Sequence, residues 1–141
     1  MNYLPWAVVA LVAYSFVPPL LNRATTGAGA VPSNVAALVS NGILVIVTLG
    51  VIAVQGESVV EHVRKPEMAF VAASGLFLAV GILSYYRALS LGPVSVVTPV
   101  FGMFLVLASV VGVALLNESL TARKVVGIGL AVLAVVLVAG D

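Results

Sequence analysis

Few residues in this sequence could perform catalysis or hold a metal ion. The only histidine, His62, lies in a polar stretch beside Glu61, Arg64 and Lys65, and the chain has no cysteine. A metal site needs several convergent ligands, and the apolar stretches hold no carboxylate pair and no Ser/His or Ser/Lys dyad. We therefore interpret His62 as a solvated side chain, and we predict that the chain is not an enzyme and carries no cofactor or metal.

Binding of phosphates or nucleic acid is also disfavoured. Gly27 and Gly29 stand in a connection that lacks the lysine and hydroxyl residue of a phosphate-binding loop. The net charge is +1, and no basic arm or basic patch with interleaved aromatic residues is present. We expect no nucleic-acid partner.

The composition instead indicates an integral membrane protein. Of 141 residues, 62% are hydrophobic and 8% are charged, and the mean hydropathy is +1.27. A soluble domain has about 45–50% apolar and about 25% charged residues. The lipid bilayer is therefore the first partner that the sequence predicts.

Charged and turn-forming residues divide the chain into five apolar segments. A helix needs about 20 apolar residues to cross a bilayer core, and the uncharged run from Ala88 to Asn117 has 30 residues, interrupted by a Gly92-Pro93 turn. We predict an all-α domain with five transmembrane helices and expect Pro18-Pro19 to kink or stop the first. The expected spans are about 4–22, 34–55, 67–89, 94–116 and 121–140.

Pro99 lies inside the fourth predicted span. Proline has no N–H, so the carbonyl of Ser95 loses its helical partner. In a membrane such a break is tolerated where it is buried in protein or faces a wet cavity, and broken helices often line the substrate sites of transporters. The alternative is a simple kink that a neighbour such as Ser95 satisfies.

The polar residues expected near the middle of the membrane are all neutral. They are Tyr14, Ser15, Ser40, Asn41, Ser74, Thr98 and Ser109. Because an intramembrane carboxylate for proton coupling is missing from this set, we expect a small neutral or amphipathic solute. The alternative is that these side chains only form hydrogen bonds between helices.

The C-terminal half carries a family resemblance. The segments YRALSLGPVS (residues 86–95), Thr98-Pro99 and LNESLT (residues 116–121), with Gly127 in the last span, resemble the second half of an EamA repeat. These repeats build the drug/metabolite transporter superfamily. The first two spans match by number and hydropathy alone. Members usually carry two repeats in about ten spans, so the resemblance implies one half of a ten-span inverted-repeat transporter fold.

Together with the resemblance, the polar positions predict a substrate site on spans one, three and four. The candidates are Tyr14, Ser84, Arg87, Thr98 and Pro99. Arg87 would hold an anionic head group at the mouth of the cavity, or else extend to the membrane surface as arginines near span ends usually do. Glu118 matches the motif, and we expect it to stabilise the start of the fifth helix rather than bind solute.

The loop charges predict the orientation and the assembly. One side carries Arg64, Lys65, Arg123 and Lys124, and the other carries Arg23 and Arg87, a difference of 4 − 2 = 2. This bias favours a cytoplasmic N-terminus and an outside C-terminus in the cell membrane, yet it is small enough for dual topology.

A single repeat needs an inverted copy for alternating access. We therefore expect an antiparallel homodimer or a pair with an oppositely oriented paralogue. The alternative is an accessory subunit of a lipid-carrier flippase or other membrane complex that moves nothing by itself.

Overall fold

The computed structural model describes residues 3–116 and 121–139, without the side chains of residues 116 and 139. The described part is helical, with helices joined by short turns and loops. The helices are α1 (Leu4–Thr25), α2 (Ser33–Gln55), α3 (Val59–Val63), α4 (Met68–Leu91), α5 (Val94–Gly102), α6 (Phe104–Leu116) and α7 (Ala122–Ala139).

Four segments of the described chain are long and apolar enough to cross a membrane. They are Leu4–Thr25, Ser33–Gln55, Met68–Leu91 and Val94–Leu115, the last of which combines α5 with most of α6. These bounds lie within three residues of the predicted ones. The chain is therefore an all-helical, multi-pass membrane protein.

Helix α7 is not among these four segments. Its 18 residues would span about 27 Å, and Arg123 and Lys124 occupy its first turn. The uncharged remainder is thus shorter than the hydrocarbon core, which is about 30 Å thick. The fifth span stays a prediction.

Helix α1 does not stop at Pro18-Pro19. It continues to Thr25, three residues past the predicted end. Pro18 is buried against the rest of the helical packing, and the Thr25 hydroxyl donates a 2.8 Å hydrogen bond to the Leu21 carbonyl in the last turn. The stop that the two prolines were predicted to cause is therefore wrong, whereas the alternative, a kink in a continuous helix, stays a prediction.

Helix α2 ends at a glycine with a left-handed backbone. Gly56 has φ +68°, a conformation that residues with a Cβ rarely adopt, and its N–H donates to the Ile52 carbonyl. The polar loop that follows contains the short helix α3. Ser58 caps this helix, because its hydroxyl accepts a 3.4 Å hydrogen bond from the Glu61 N–H.

Helices α1, α2 and α4 form a first unit, which ends at Leu91. Its buried residues come from the C-terminal parts of α1 and α4 and from the N-terminal part of α2. They are Pro18, Leu21, Thr25, Ser33, Ala36, Ala37, Tyr85, Tyr86 and Leu89. Three helix ends thus meet in one place, the packed end, as expected for consecutive spans that cross a membrane in alternating directions.

Helices α5, α6 and α7 form a second unit, which begins at Gly92. The helix continues through Pro99 and is interrupted at Met103, whose N–H donates to the Val100 carbonyl, three residues back, at 3.2 Å. Regular bonding resumes where the Leu107 N–H donates to the Met103 carbonyl at 3.1 Å. The fourth predicted span is therefore broken four residues after its proline.

The second unit's last helix begins at a threonine cap. The Lys124 N–H donates to the Thr121 hydroxyl at 3.3 Å, and the Val125 N–H donates to the Thr121 carbonyl at 3.1 Å. Glu118, predicted to stabilise this helix start, lies outside the described residues.

Candidate functional site

The packed end of the first unit contains a hydrogen bond between two helices. The Asn22 side-chain N–H donates to the Leu89 carbonyl at 2.7 Å, and this bond joins the last turns of α1 and α4. Leu89 is fully buried beside it, and Tyr85 and Tyr86 are also buried, with their rings edge to face at 6.5 Å between centroids. The polar bond and the apolar packing fix α4 against α1 at this point.

Three predicted site residues lie in the first unit. Tyr14 on α1 is 68% exposed, and Ser84 and Arg87 on α4 are exposed as well. Tyr14 precedes Asn22 by eight residues, about 12 Å along the helix, and Ser84 precedes Leu89 by five, about 8 Å. Neither residue is among the buried residues of the packed end, although Ser84 directly precedes the buried Tyr85, and their participation in one solute site stays a prediction.

The other two predicted site residues lie in the second unit. Thr98 and Pro99 are consecutive on α5, where both are half-buried. The interruption at Met103 follows them by one helical turn, and the rings of Phe101 and Phe104 lie 5.1 Å apart across it. Thr98 and Pro99 thus lie on a short helix of nine residues that precedes the interruption, and their role in binding stays a prediction.

A groove of about 450 Å³ lies between α2 and α4. Its polar side chains are Asn34 and Asn41 of α2, and its walls are otherwise alanine, glycine, leucine and isoleucine, including Gly75 and Ala79 of α4. None of the five predicted site residues lines it. We call this feature the α2–α4 groove.

A second groove, of about 360 Å³, lies between α6 and α7. Gly127 and Ala131 line it on α7, with Ser109 on α6 and Lys124 at the α7 start. The Ser109 hydroxyl donates to the Leu105 carbonyl of its own helix at 2.8 Å. These small α7 residues thus face α6 inside the second unit.

The presence of Asn34 and Asn41 in one groove was not predicted from the sequence. Asn41 was selected by depth alone, although a spacing of seven residues places two side chains on one face of a helix. That spacing is the signal that could have found the pair. The small residues Ala37, Gly75 and Ala79, which leave room for the groove, carry no such signal until α2 and α4 are known to pack together.

His62 lies where a solvated histidine would be expected. It is exposed on α3, and its Nδ1 atom is 2.7 Å from the Ser58 carbonyl. Among the described residues, no group of three or more histidine or acidic side chains could hold a metal ion.

Comparison with known proteins agrees with the helical membrane architecture. The profile described as the EamA-like transporter family matches residues 1–140. A protein from Sinorhizobium sp. named "Uncharacterized transporter in cobO 3'region" is 27% identical over 124 residues, which are 87% of this chain and 88% of that protein. No solved structure matches the chain significantly. The match over nearly its whole length assigns the chain to the EamA-like transporter family.

Proposed function

We propose that this chain is a one-repeat transporter subunit that moves a small neutral or amphipathic solute across the cell membrane. The observation that carries the proposal is that the charged side chains of the four apolar segments lie near helix ends. The only charged residues of these segments are Arg23, two residues before the end of α1, and Arg87, four residues before the end of α4. Charged groups that bind ions or relay protons usually lie deeper in the membrane than these two arginines near helix ends.

The proposed subunit crosses the membrane five times, with α7 as the fifth span, and works as half of an inverted pair. Alternating access in related architectures moves one repeat against an inverted copy around a site at mid-depth. The Sinorhizobium relative supports a one-repeat subunit, because it bears the name of a transporter and the alignment covers 88% of its length.

The partner in the proposed pair is a second, inverted copy or an oppositely oriented paralogue. The difference of two positive charges between the two sides is a small bias. The proposed major orientation has the N-terminus in the cytoplasm. Labelling of tags at both termini tests this: termini on both membrane faces support the inverted homodimer, whereas one-sided labelling leaves only the paralogue pair or a parallel dimer.

Transport is tested with the full chain in sealed vesicles. Three probes share one apolar body and differ in charge: N-acetylleucinamide is neutral, N-acetylleucine is anionic and leucinamide is cationic. We expect uptake of the neutral probe to exceed that of the other two, because no charged side chain lies deep in the described spans to compensate an ion. Failure to transport any probe, with cross-linking only to a larger protein, would favour the accessory subunit.

The proposed site is tested by two variants in the same assay. Thr98→Ala and Arg87→Ala should each reduce uptake of the neutral probe, because a hydroxyl and a guanidinium can each donate a hydrogen bond to an amide carbonyl. The matched controls are Thr48→Ala on α2, whose exposed hydroxyl bonds within its own helix at 2.8 Å, and Arg64→Ala in the polar loop. Full uptake by both site variants would remove the proposed site.

A further inference from the structure

We propose that the α2–α4 groove is a binding site for a neutral solute that carries an amide or similar hydrogen-bonding group on an apolar body. This inference rests on the proposed function for its biological role, but the groove itself is defined by the structure. Its volume of about 450 Å³ falls within the range of about 300–1,000 Å³ that small-molecule sites occupy.

The two carboxamides of the groove have free hydrogen-bonding capacity. Asn41 is half-buried, and its side-chain N–H donates to the Ala37 carbonyl at 2.8 Å. Within residues 3–116 and 121–139, neither the Asn41 oxygen nor any side-chain atom of Asn34 forms another hydrogen bond. An asparagine side chain offers two donors and two acceptor positions, so most of the capacity of both residues is available to a ligand.

Asn41 lies deep in its span, so its unused hydrogen-bonding capacity has an energetic cost. Asn41 lies eight residues after the start of α2, about 12 Å along the helix from Ser33. Hydrocarbon offers no partner to an amide at that depth, so such a group costs free energy unless protein, water or a solute satisfies it. A groove that admits a polar solute removes this cost.

The rest of the lining defines the class of the solute. No charged side chain is among the described residues that line the groove, so nothing there compensates a charge on the ligand. The aliphatic walls fit an apolar body, and the asparagines, seven residues apart on one helix face, fit hydrogen-bonding groups about 10 Å apart or a smaller group bound by either one. The groove therefore favours neutral amides over acids and amines of the same shape.

The first test measures whether water and a water-soluble reagent enter the groove. The chain has no cysteine, so a single introduced thiol reports on its own position. A Cβ added at Gly75 meets no heavy atom within 4 Å, which leaves room for Gly75→Cys in the groove wall. Ser74→Cys is the matched control, because Ser74 lies at nearly the same depth on α4 but is not among the groove residues.

In lipid nanodiscs, a charged methanethiosulfonate should modify Gly75→Cys at least about tenfold faster than Ser74→Cys, because only the thiolate reacts and it forms in water. Equal rates would mean that the groove is dry and would overturn the inference. Reactivity of Gly75→Cys that appears only when each nanodisc holds one copy would show that a second copy fills the groove, and would also overturn it.

The second test asks whether the carboxamides recognise a neutral amide. N-acetylleucinamide at about four times its Kd should slow the modification of Gly75→Cys about fivefold, because the rate falls by the factor 1 + [L]/Kd when the occupied groove excludes the reagent. N-acetylleucine and leucinamide should not. Adding Asn41→Leu to Gly75→Cys should abolish the protection, and adding Thr48→Val, a change outside the groove on the same helix, should leave it intact.

Two outcomes of the protection experiment would overturn the inference: equal protection by the charged probes, or full protection in the presence of Asn41→Leu. Neither measurement depends on transport. Protection without vesicle uptake would support the groove as a binding site and refute the transporter proposal. Uptake of N-acetylleucinamide without protection would support the transporter proposal and refute the groove as its binding site.

Discussion

The side chain of Asn22 donates a 2.7 Å hydrogen bond to the main-chain carbonyl of Leu89, and this bond connects α1 and α4 through two residues that are 67 positions apart in the sequence. The acceptor is a carbonyl of the last turn of α4, which continuing helix would otherwise satisfy. The bond therefore ties the end of α4 to α1, next to the most deeply buried side chain of the first unit.

Replacing Asn22 should destabilise the first unit by a modest amount. Asn22→Ala removes the bond to Leu89, and hydrogen bonds between membrane helices contribute about 0.6 kcal/mol on average and about 1.7 kcal/mol at most. We expect a loss within that range in reversible unfolding of the full chain in mixed detergent micelles. Asn34→Ala, which removes a side chain without a described hydrogen bond, is the control. An equal loss in the control would contradict this assignment.

Truncating Leu89 should cost more than truncating a neighbouring leucine. Leu89 is fully buried and Leu91 is 72% exposed, although only two residues separate them on α4. Leu→Ala at a buried site leaves a cavity and typically costs about 2–5 kcal/mol. We expect the loss of stability in Leu89→Ala to lie near the lower end of that range, because burial of apolar surface away from lipid contributes little driving force. We expect Leu91→Ala to change stability little. The same unfolding experiment measures both, and similar losses would refute the packing described.

Replacing Pro99 should strengthen the helix around the interruption. Alanine at position 99 supplies an N–H that can donate to the Ser95 carbonyl, which proline cannot do. We therefore expect slower amide hydrogen exchange for residues 100–103 in Pro99→Ala than in the native chain. Pro93→Ala is the comparison, because Pro93 lies at the helix start, where an N–H has no helical acceptor. Unchanged exchange at residues 100–103 would mean that Pro99 does not cause the interruption.

Removing loop charges should change the orientation of the chain. Arg64→Gln combined with Lys65→Gln reduces the difference between the two sides from two positive charges to none. We expect the two orientations to become about equally populated in tag-accessibility labelling. Glu57→Gln with Glu61→Gln is the control, since acidic residues contribute little to orientation. An unaltered ratio in the basic variant would show that loop charge does not set the topology.

Much of the architecture follows from composition and hydropathy. The four long apolar segments and their ends were predictable because lipid requires continuous apolar helix, and charged or turn-forming residues mark where it stops. Of the two outcomes predicted for Pro18-Pro19, a kink or a stop, the stop was wrong because α1 continues to Thr25. Burial of Pro18 is a property of the tertiary packing and cannot be read from the local sequence. The interruption at Met103 follows the proline that indicated it by one turn.

The candidate binding surfaces were less predictable. Depth along a span identified Asn41, but depth does not tell which face of the helix meets a neighbour. Gly75 and Ala79 matter only because α4 packs against α2, so the groove is a property of two helices together. The predicted site residues, from Tyr14 to Pro99, are divided between the two described units, and uptake by Thr98→Ala and Arg87→Ala tests whether residues of both units bind the solute.

Every buried residue in the described part of the first unit lies at one end of three long helices, so close packing holds the helices together at that end, which acts as a pivot. A small rotation about a fixed pivot displaces distant points in proportion to their distance. Over the 22 residues of α1, about 33 Å, a tilt of a few degrees moves the far tip by a couple of ångströms. Widening of the first unit on the side of the short helix α3, away from Leu89, would therefore separate the fewest buried side chains.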